Sequence, residues 1–362
     1  MGIREPFIWM SLLLVSMETR GEFPKPDHAN LRVYLDEEGR LAPIRVLEEW
    51  TLRRRAILAG MQEAMGPLPD RSRLPEFDLR IGEETIREGY RRLTVSFVSG
   101  DPDRIPAYLY VPVTEPGAAR RPAMLALHQT TDIGKDDVDG GGNNPNLAYA
   151  RELAERGYVV LAPDYPPFGG YIGYDFESDR YNSGTMKGIF NHMRCVDLLV
   201  SLPEVDPERI GVIGHSLGGH NAMFAAVFDE RLKAVVASCG WTPFHDYYGG
   251  KLEGWTSDRY MPRLRDVYGL NPDRVPFDLY EVVAALAPRA FFSNSPVGDE
   301  NFDVNGVKKV IPAAREIYAL HGVEDRLQVR FPECGHDFPP EVREEAYRFL
   351  DQVLNHAPLS WN

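Results

Sequence analysis

The chain has 362 residues, enough for one large α/β domain with a substantial core and additional elements. Its 43% hydrophobic and 26% charged residues are ordinary for a globular protein. With 40 Lys and Arg residues against 54 Asp and Glu residues, the net charge is −14. A surface this acidic repels nucleic acid and anionic membranes, so we expect neither as a partner.

The N-terminus contains one short apolar run, residues 7–17. The run is too short to span a bilayer. Either residues 1–17 are a signal peptide for export, or translation starts at Met17 and the protein is cytoplasmic. We favour the cytoplasmic protein, because Glu5 offsets the charge of Arg4 and no small-residue cleavage site follows.

The three cysteines are widely spaced along the chain, at Cys195, Cys239 and Cys334. Their number is odd and their spacing is that of neither a disulfide framework nor a metal site. We therefore expect no bound metal and a chain that suits a reducing compartment.

The N-terminal part is predicted to be an arm followed by one helix. Residues 17–45 are rich in proline and charge, whereas Leu47–Met65 has apolar residues at helical spacing and ends at a Gly-Pro pair. Strand-like alternation begins near residue 87 and covers residues 90–98 and 105–111. We place the arm and helical segment at 1–85 and one large domain at 86–356.

In that domain, short apolar runs alternate with helical segments. Further strands are predicted at 123–127, 158–162, 210–213, 232–237, 290–293 and 327–331. Helices are predicted at 146–156, 184–202, 217–228, 278–287, 307–320 and 341–354. Continuous apolar runs are typical of strands buried on both faces, so the pattern predicts a mostly parallel central sheet flanked by helices. An aromatic-rich insertion is expected at about 240–277.

One motif has the sequence Gly214-His215-Ser216-Leu217-Gly218. It directly follows a predicted strand and opens a predicted helix. A serine in this context lies on a tight strand-to-helix turn with its hydroxyl at the carboxyl edge of the sheet, and only glycines fit beside it. The context predicts Ser216 as a catalytic nucleophile.

A nucleophilic serine needs a base, and the base needs an acid that orients it. His336 lies in the loop between the last strand and the last helix, at the same sheet edge, and is the predicted base. The loop after strand 290–293 offers Asp299, Glu300 and Asp303. Asp299 directly follows a turn-forming glycine close to the strand end, so we favour it as the acid.

The oxyanion of the reaction needs backbone amide donors. The amide of Leu217 is the first, and either Thr130 or Gln129, after strand 123–127, supplies the second. Gln129, Trp241 and His215 are the candidate substrate-binding residues, although His215 also fits a structural hydrogen-bonding role.

Two further segments are candidate parts of the site: the aromatic insertion and a glycine-rich run. The aromatic residues of the insertion either stack on sugar rings or form the core of a lid. The glycine-rich residues 139–143 lack the strand and the Gly-Lys-Ser/Thr sequence of a phosphate loop. We expect them to form a mobile loop near the site entrance.

Three segments resemble the dienelactone hydrolase and acetyl xylan esterase-like branch of the α/β-hydrolases: residues 158–165, 203–219 and 334–337. That branch is related to the catalytic domain of prolyl oligopeptidases. The resemblance covers roughly residues 85–356. It implies the α/β-hydrolase fold, esterase chemistry and a Ser216–Asp299–His336 triad. Dienelactone hydrolases have a cysteine where this chain has Ser216, which argues against lactone specificity. Prolyl oligopeptidases carry a propeller domain, and the N-terminal segment is too short to form one.

These observations predict a serine hydrolase that cleaves carboxylic esters through an acyl-enzyme. Its expected partner is a small-molecule ester with a short, acetyl-type acyl group, and the alcohol part of this ester can be a carbohydrate. The chemistry needs no metal and no organic cofactor. Two alternatives remain: a small-peptide serine peptidase of prolyl oligopeptidase type, and a non-catalytic binding protein on the same fold.

Overall fold

The computed structural model describes residues 27–359, apart from residues 101, 114 and 116. The apolar run 7–17, with the alternatives of a signal peptide and a start at Met17, lies outside the described residues. Among the described helices, none is both long enough and apolar enough to cross a membrane.

The N-terminal segment contains a small antiparallel ribbon and one long helix. Strands β1 (Val33–Leu35) and β2 (Leu41–Pro43) form the ribbon, and α1 (Leu47–Met65) has the bounds that its periodicity predicts. Leu31 and Ile44, at either end of the ribbon, are buried in the main hydrophobic core. The described part of the arm therefore contributes to the core, which its proline- and charge-rich sequence did not indicate.

The centre of the molecule is a nine-stranded sheet with the order β11-β10-β9-β8-β6-β7-β5-β4-β3. Pairs from β11 to β7 are parallel, and β7–β5, β5–β4 and β4–β3 are antiparallel. The sheet is mostly parallel, as predicted. Its strands are β3 (Arg80–Arg87), β4 (Tyr90–Gly100), β5 (Asp103–Pro112), β6 (Arg121–Leu127), β7 (Val159–Pro163), β8 (Val205–His215), β9 (Leu232–Ser238), β10 (Ala290–Asn294) and β11 (Leu327–Arg330).

Helices cover both faces of the sheet. Side chains of α1, α3, α4, α6 and α7 share one core cluster, and those of α2 and α8 share the other. Neighbouring strand residues such as Val235 and Val236 belong to opposite clusters, which explains the continuous apolar runs of the central strands. The helices after α1 are α2 (Tyr149–Glu155), α3 (Gly184–Ser201), α4 (Leu217–Phe228), α5 (Arg263–Asp266), α6 (Leu279–Ala285), α7 (Val304–Leu320) and α8 (Pro340–Val353).

The aromatic insertion lies between β9 and α6. It consists of short 3₁₀ turns at Tyr247–Gly249, Leu252–Trp255 and Pro272–Arg274 together with the single-turn α5. Because strands β8, β9 and β10 all end at the same edge, the insertion, the loop after β10 and the turn after β8 lie together there.

Candidate active site

Ser216 lies on a sharp turn between β8 and α4. Its backbone has φ 53° and ψ −116°, a conformation that a non-glycine residue rarely adopts. A Cβ on Gly218 would lie 2.0 Å from the Leu127 carbonyl oxygen, and one on Gly214 would lie 2.1 Å from the Gly218 carbonyl oxygen. The glycines are therefore required because the turn packs directly against its own backbone and against the end of β6.

His336 is paired with Asp299. Its Nδ1 lies 3.0 Å from both carboxylate oxygens of Asp299. The Asp299 side chain is 1% exposed and that of His336 is 23% exposed, so the acid is enclosed and the base is accessible. Phe302 stacks on the His336 ring at a centroid distance of 6.1 Å. The imidazole is thus held in place on two sides.

The loop after β10 fixes the Asp299 carboxylate. Its Oδ1 accepts hydrogen bonds from the amides of Asn301 at 2.8 Å and Phe302 at 3.2 Å. Burial acts to raise the pKa of Asp299, but the hydrogen bond and charge of His336, with the two amides, outweigh it and hold the pKa below its ordinary value. Asp303 instead caps α7 by accepting from the Asn305 amide, and Glu300 is exposed.

A cavity of about 300 Å³ contains both Ser216 and His336. No hydrogen bond joins these two side chains in the described structure. The cavity lining is polar and aromatic, and the described part of the chain adds no ionisable group to it other than histidine and tyrosine. The lining residues are Gln129, Thr130, Ser216, Leu217, His220, Tyr247, Gly254, Trp255, Tyr260, Asn301, Phe302 and His336.

The two expected sources of oxyanion donors meet at this cavity. Leu217 is the first residue of α4, so its amide has no carbonyl one turn earlier in the helix. Gln129 and Thr130 both line the cavity. The Gln129 side chain lies beside Asp137, whereas the Thr130 hydroxyl lies 3.1 Å from the Tyr260 hydroxyl. The second donor remains either of these two residues.

Two predicted substrate-binding residues lie elsewhere. Trp241 is 1% exposed, and its indole nitrogen donates to Ser293 Oγ at 3.0 Å inside the core. His215 is also 1% exposed, with Nδ1 2.9 Å from Ser238 Oγ, and burial together with the nearby His336 lowers its pKa to about 3. Among the described residues that line the cavity, Gln129 is present and these two are not, so the structure places Trp241 and His215 in the core behind the site rather than at the substrate.

The aromatic residues that do line the cavity come from later in the insertion. Tyr247, Trp255 and Tyr260 form one wall, and His220 packs against Trp255 at 4.8 Å. The sequence indicated an aromatic segment over the serine but could not distinguish its core residues from its cavity residues. Asn301 was missed because an amide in a loop gives no pattern.

The glycine-rich segment is also not at the cavity. Residues 137–141 form an irregular helical turn, in which Gly140 has φ 92°, and this turn contacts β4 and β5. Asp139 pairs with Arg92 and accepts a hydrogen bond from the Tyr110 hydroxyl at 2.8 Å. The structure thus does not place this segment at the site entrance, where it was expected, because one ion pair and one hydrogen bond fix it against the antiparallel part of the sheet.

A hydrogen-bond network holds the loop that carries His336. Asn294, at the end of β10, donates through Nδ2 to the Asp337 carbonyl at 2.8 Å and to Ser238 Oγ at 2.9 Å. The Asp337 carboxylate accepts from Asn144 at 2.9 Å and Asn146 at 2.7 Å. The residue after the predicted base is thus attached to two strands and to the segment before α2. No sequence pattern indicated this role of Asn294.

A serine on a strained turn, an imidazole oriented by a buried carboxylate, and free amides at a helix N-terminus are the components of acyl transfer. All of them lie at the carboxyl edge of the sheet. The serine hydroxyl can attack a carbonyl held in the cavity, and the imidazole can move the proton. No other charged group is needed for these steps.

The sequence matches the prolyl oligopeptidase family over residues 146–357, more than half of the chain. It is 29% identical over 308 residues to the putative hydrolase YtaP of Bacillus subtilis, a match that covers 80% of this chain and 96% of that protein.

Solved structures with the same fold include a glucuronoyl esterase from Solibacter usitatus, with a TM-score of 0.70 and 18% identity, covering 92% of this chain and 99% of that one. A putative acetyl xylan esterase from Bacteroides fragilis has a TM-score of 0.60 and 18% identity, covering 88% and 92%. These similarities establish the α/β-hydrolase fold.

Proposed function

Since this chain belongs to the prolyl oligopeptidase family and is a hydrolase of the α/β-hydrolase superfamily, we propose that it is a serine esterase acting on small carboxylic esters. The observation that supports the proposal is the cavity shared by Ser216 and His336, with Asp299 hydrogen-bonded to the far side of the imidazole. In this proposal Ser216 is the nucleophile, His336 the general base and Asp299 the orienting acid.

The proposed reaction has two halves. His336 Nε2 takes the proton of the Ser216 hydroxyl as Oγ attacks the ester carbonyl, and the amides of Leu217 and of Gln129 or Thr130 stabilise the oxyanion. The alcohol leaves with the proton from His336. Water then attacks the acyl-enzyme with His336 again as base, which releases the acid and restores the serine.

The substrate proposed is uncharged, polar and short in its acyl part. No Asp, Glu, Lys or Arg among the described residues lines the cavity, so a charged substrate would lose its hydration without gaining an ion pair there. A volume of about 300 Å³ with amide and hydroxyl groups in its wall is poorly suited to a fatty chain. Trp255 and Tyr260 offer ring faces to a sugar, and carbohydrate esterases are among the structures with the same fold.

A second candidate is a small-peptide serine peptidase, which the family match favours. The same triad cleaves amides. Against it, the described cavity wall has no carboxylate to bind a free peptide amino group. A comparison of hydrolysis of an acetyl ester with that of an aminoacyl anilide separates the two candidates.

The proposal is tested with purified protein and p-nitrophenyl esters of increasing acyl length. We expect acetyl or propionyl esters to exceed octanoyl esters in kcat/KM. Ser216→Ala should remain folded and lose about 10³-fold or more of the activity, and a fluorophosphonate probe should label the wild type only at Ser216. Retained activity in Ser216→Ala refutes the nucleophile, and a preference for octanoyl esters refutes the substrate class.

A further inference from the structure

Two buried side chains lie behind His336, on the side away from the solvent. His215 ends β8 and Cys239 directly follows β9, and both are at most 2% exposed. The ring centroids of His215 and His336 are 4.8 Å apart. One ring nitrogen of each histidine and the sulfur of Cys239 all lie within 4.8 Å of one another.

One member of this cluster has a nitrogen without a partner. His215 Nδ1 hydrogen-bonds Ser238 Oγ, but Nε2 is buried and has no hydrogen-bond partner within the described residues. A buried ring nitrogen without a partner is costly, because it has lost its water and gained nothing in return. The Cys239 thiol donates only a weak bond, to the Asp337 carbonyl at 3.2 Å.

We propose that His215, Cys239 and His336 form a binding site for zinc or a similar thiol-binding divalent ion, and that occupation of this site inhibits the enzyme. Two imidazoles and one thiolate are a donor set that zinc accepts, with a fourth position left to water. Magnesium and calcium prefer oxygen ligands and should not compete for it. On binding, the Cys239 thiol releases its proton to solvent as the sulfur–metal bond forms.

The geometry requires only a local movement. Ligand atoms around tetrahedral zinc are roughly 3.5 Å apart, so the cluster must contract by about 1 Å. His215 and Cys239 are fixed at strand ends, whereas His336 lies in a loop and is partly exposed to the cavity. The ion therefore has a route through the cavity, and His336 is the ligand that moves.

The inhibition rests on the role of His336 in the proposed function. Binding through Nε2 removes the lone pair that takes the Ser216 proton, and binding through Nδ1 replaces the hydrogen bond to Asp299 that orients the ring. In either case activity should fall as the site fills. Binding itself does not depend on that role. The experiment accordingly reads binding and activity separately.

Binding is measured with Co²⁺, because a bond from a thiolate to cobalt gives an intense near-ultraviolet absorption band. Metal-free wild-type protein should develop this band and Cys239→Ser should not. The matched control is Cys334→Ser, which removes a partly exposed thiol in the His336 loop but not in the cluster. That variant should keep the band. Absence of the band in wild type, or its loss in Cys334→Ser alone, overturns the proposal.

Activity is measured on the acetyl ester with added Zn²⁺, each variant being compared with its own metal-free rate. Loss of a residue that only supports a metal ligand commonly weakens binding 10–100-fold, so Cys239→Ser and His215→Gln should each need at least about tenfold more Zn²⁺ for half inhibition. Mg²⁺ should not inhibit. Equal Zn²⁺ sensitivity of wild type and both variants refutes the site. A cobalt band without any esterase activity would refute the proposed function and leave the metal site standing.

Discussion

Replacing the Asp299 carboxylate by an amide tests the proposed triad most directly, with Asp303→Asn as the matched control. Both oxygens of Asp299 lie 3.0 Å from His336 Nδ1. In Asp299→Asn an NH₂ group can face Nδ1, which must then accept rather than donate. The ring proton moves to Nε2, the nitrogen that should receive the Ser216 proton, so the imidazole is held in the wrong tautomer.

The expected loss follows from that tautomer. In a serine protease the same change lowers kcat about 10⁴-fold, which corresponds to about 5 kcal/mol of transition-state stabilisation. The Asp303 side chain accepts a hydrogen bond from the Asn305 amide, as a helix cap, and asparagine caps a helix as well as aspartate does. We therefore expect Asp303→Asn to keep wild-type activity and thermal stability.

The measurement is kcat for acetyl ester hydrolysis at saturating substrate, with thermal melting as the control for folding. Asp299→Asn should melt close to wild type, because the amide keeps the carbonyl oxygen that accepts from the Asn301 and Phe302 amides. If Asp303→Asn loses activity while Asp299→Asn retains it, the assigned acid is wrong. If neither variant is impaired, His336 does not act with an orienting carboxylate.

Three further results are expected. Burial lowers the pKa values of His192, His215 and His220 to about 3. Below pH ~6.5 the unfolded chain therefore binds more protons than the folded chain, and the free energy of unfolding should fall by about 1.4 kcal/mol per pH unit for each histidine on acidification. Urea unfolding at pH 7 and pH 5 measures this free energy, and equal values at the two pH values would contradict the prediction. Asn294→Ala removes the bond to the Asp337 carbonyl and should lower kcat by up to about 10²-fold with little change in KM, whereas equal losses of kcat and melting temperature would indicate a purely structural role. Gly218→Ala places a methyl group 2.0 Å from the Leu127 carbonyl oxygen and should destabilise the protein by about 1–3 kcal/mol or more, as thermal melting will show.

The nucleophile turn could be recognised from sequence because its requirements are local. The glycines around Ser216 are dictated by backbone contacts within a few residues and with the adjacent strand, and α4 starts at Leu217, directly after the serine, as predicted. Asp299 was favoured over Asp303 on the position of one glycine in the loop. Its hydrogen bonds to the next two amides explain why that short turn aims the carboxylate at His336.

The errors come from features that distant contacts decide. Strand β3 was not predicted, because all but one of its residues are exposed and its two faces give no alternation of polarity. Trp241 was expected to line the cavity, but the chain of the insertion changes direction after this residue. The Phe244 amide donates a hydrogen bond to Asp278 at the start of α6, which fixes the course of the chain there. Which aromatic residues then reach the serine depends on that tertiary contact.

The aromatic insertion (240–277) contributes Tyr247, Trp255 and Tyr260 to the cavity wall but no member of the proposed triad. By contrast, the loop after β10 carries both Asp299 and the cavity residue Phe302. Substitutions within the insertion can therefore change which substrates bind while the proposed triad stays unchanged. Substitutions in the loop after β10 would change substrate binding and the rate of catalysis together. Duplicated copies of this gene would therefore acquire new substrates most readily through changes in the insertion.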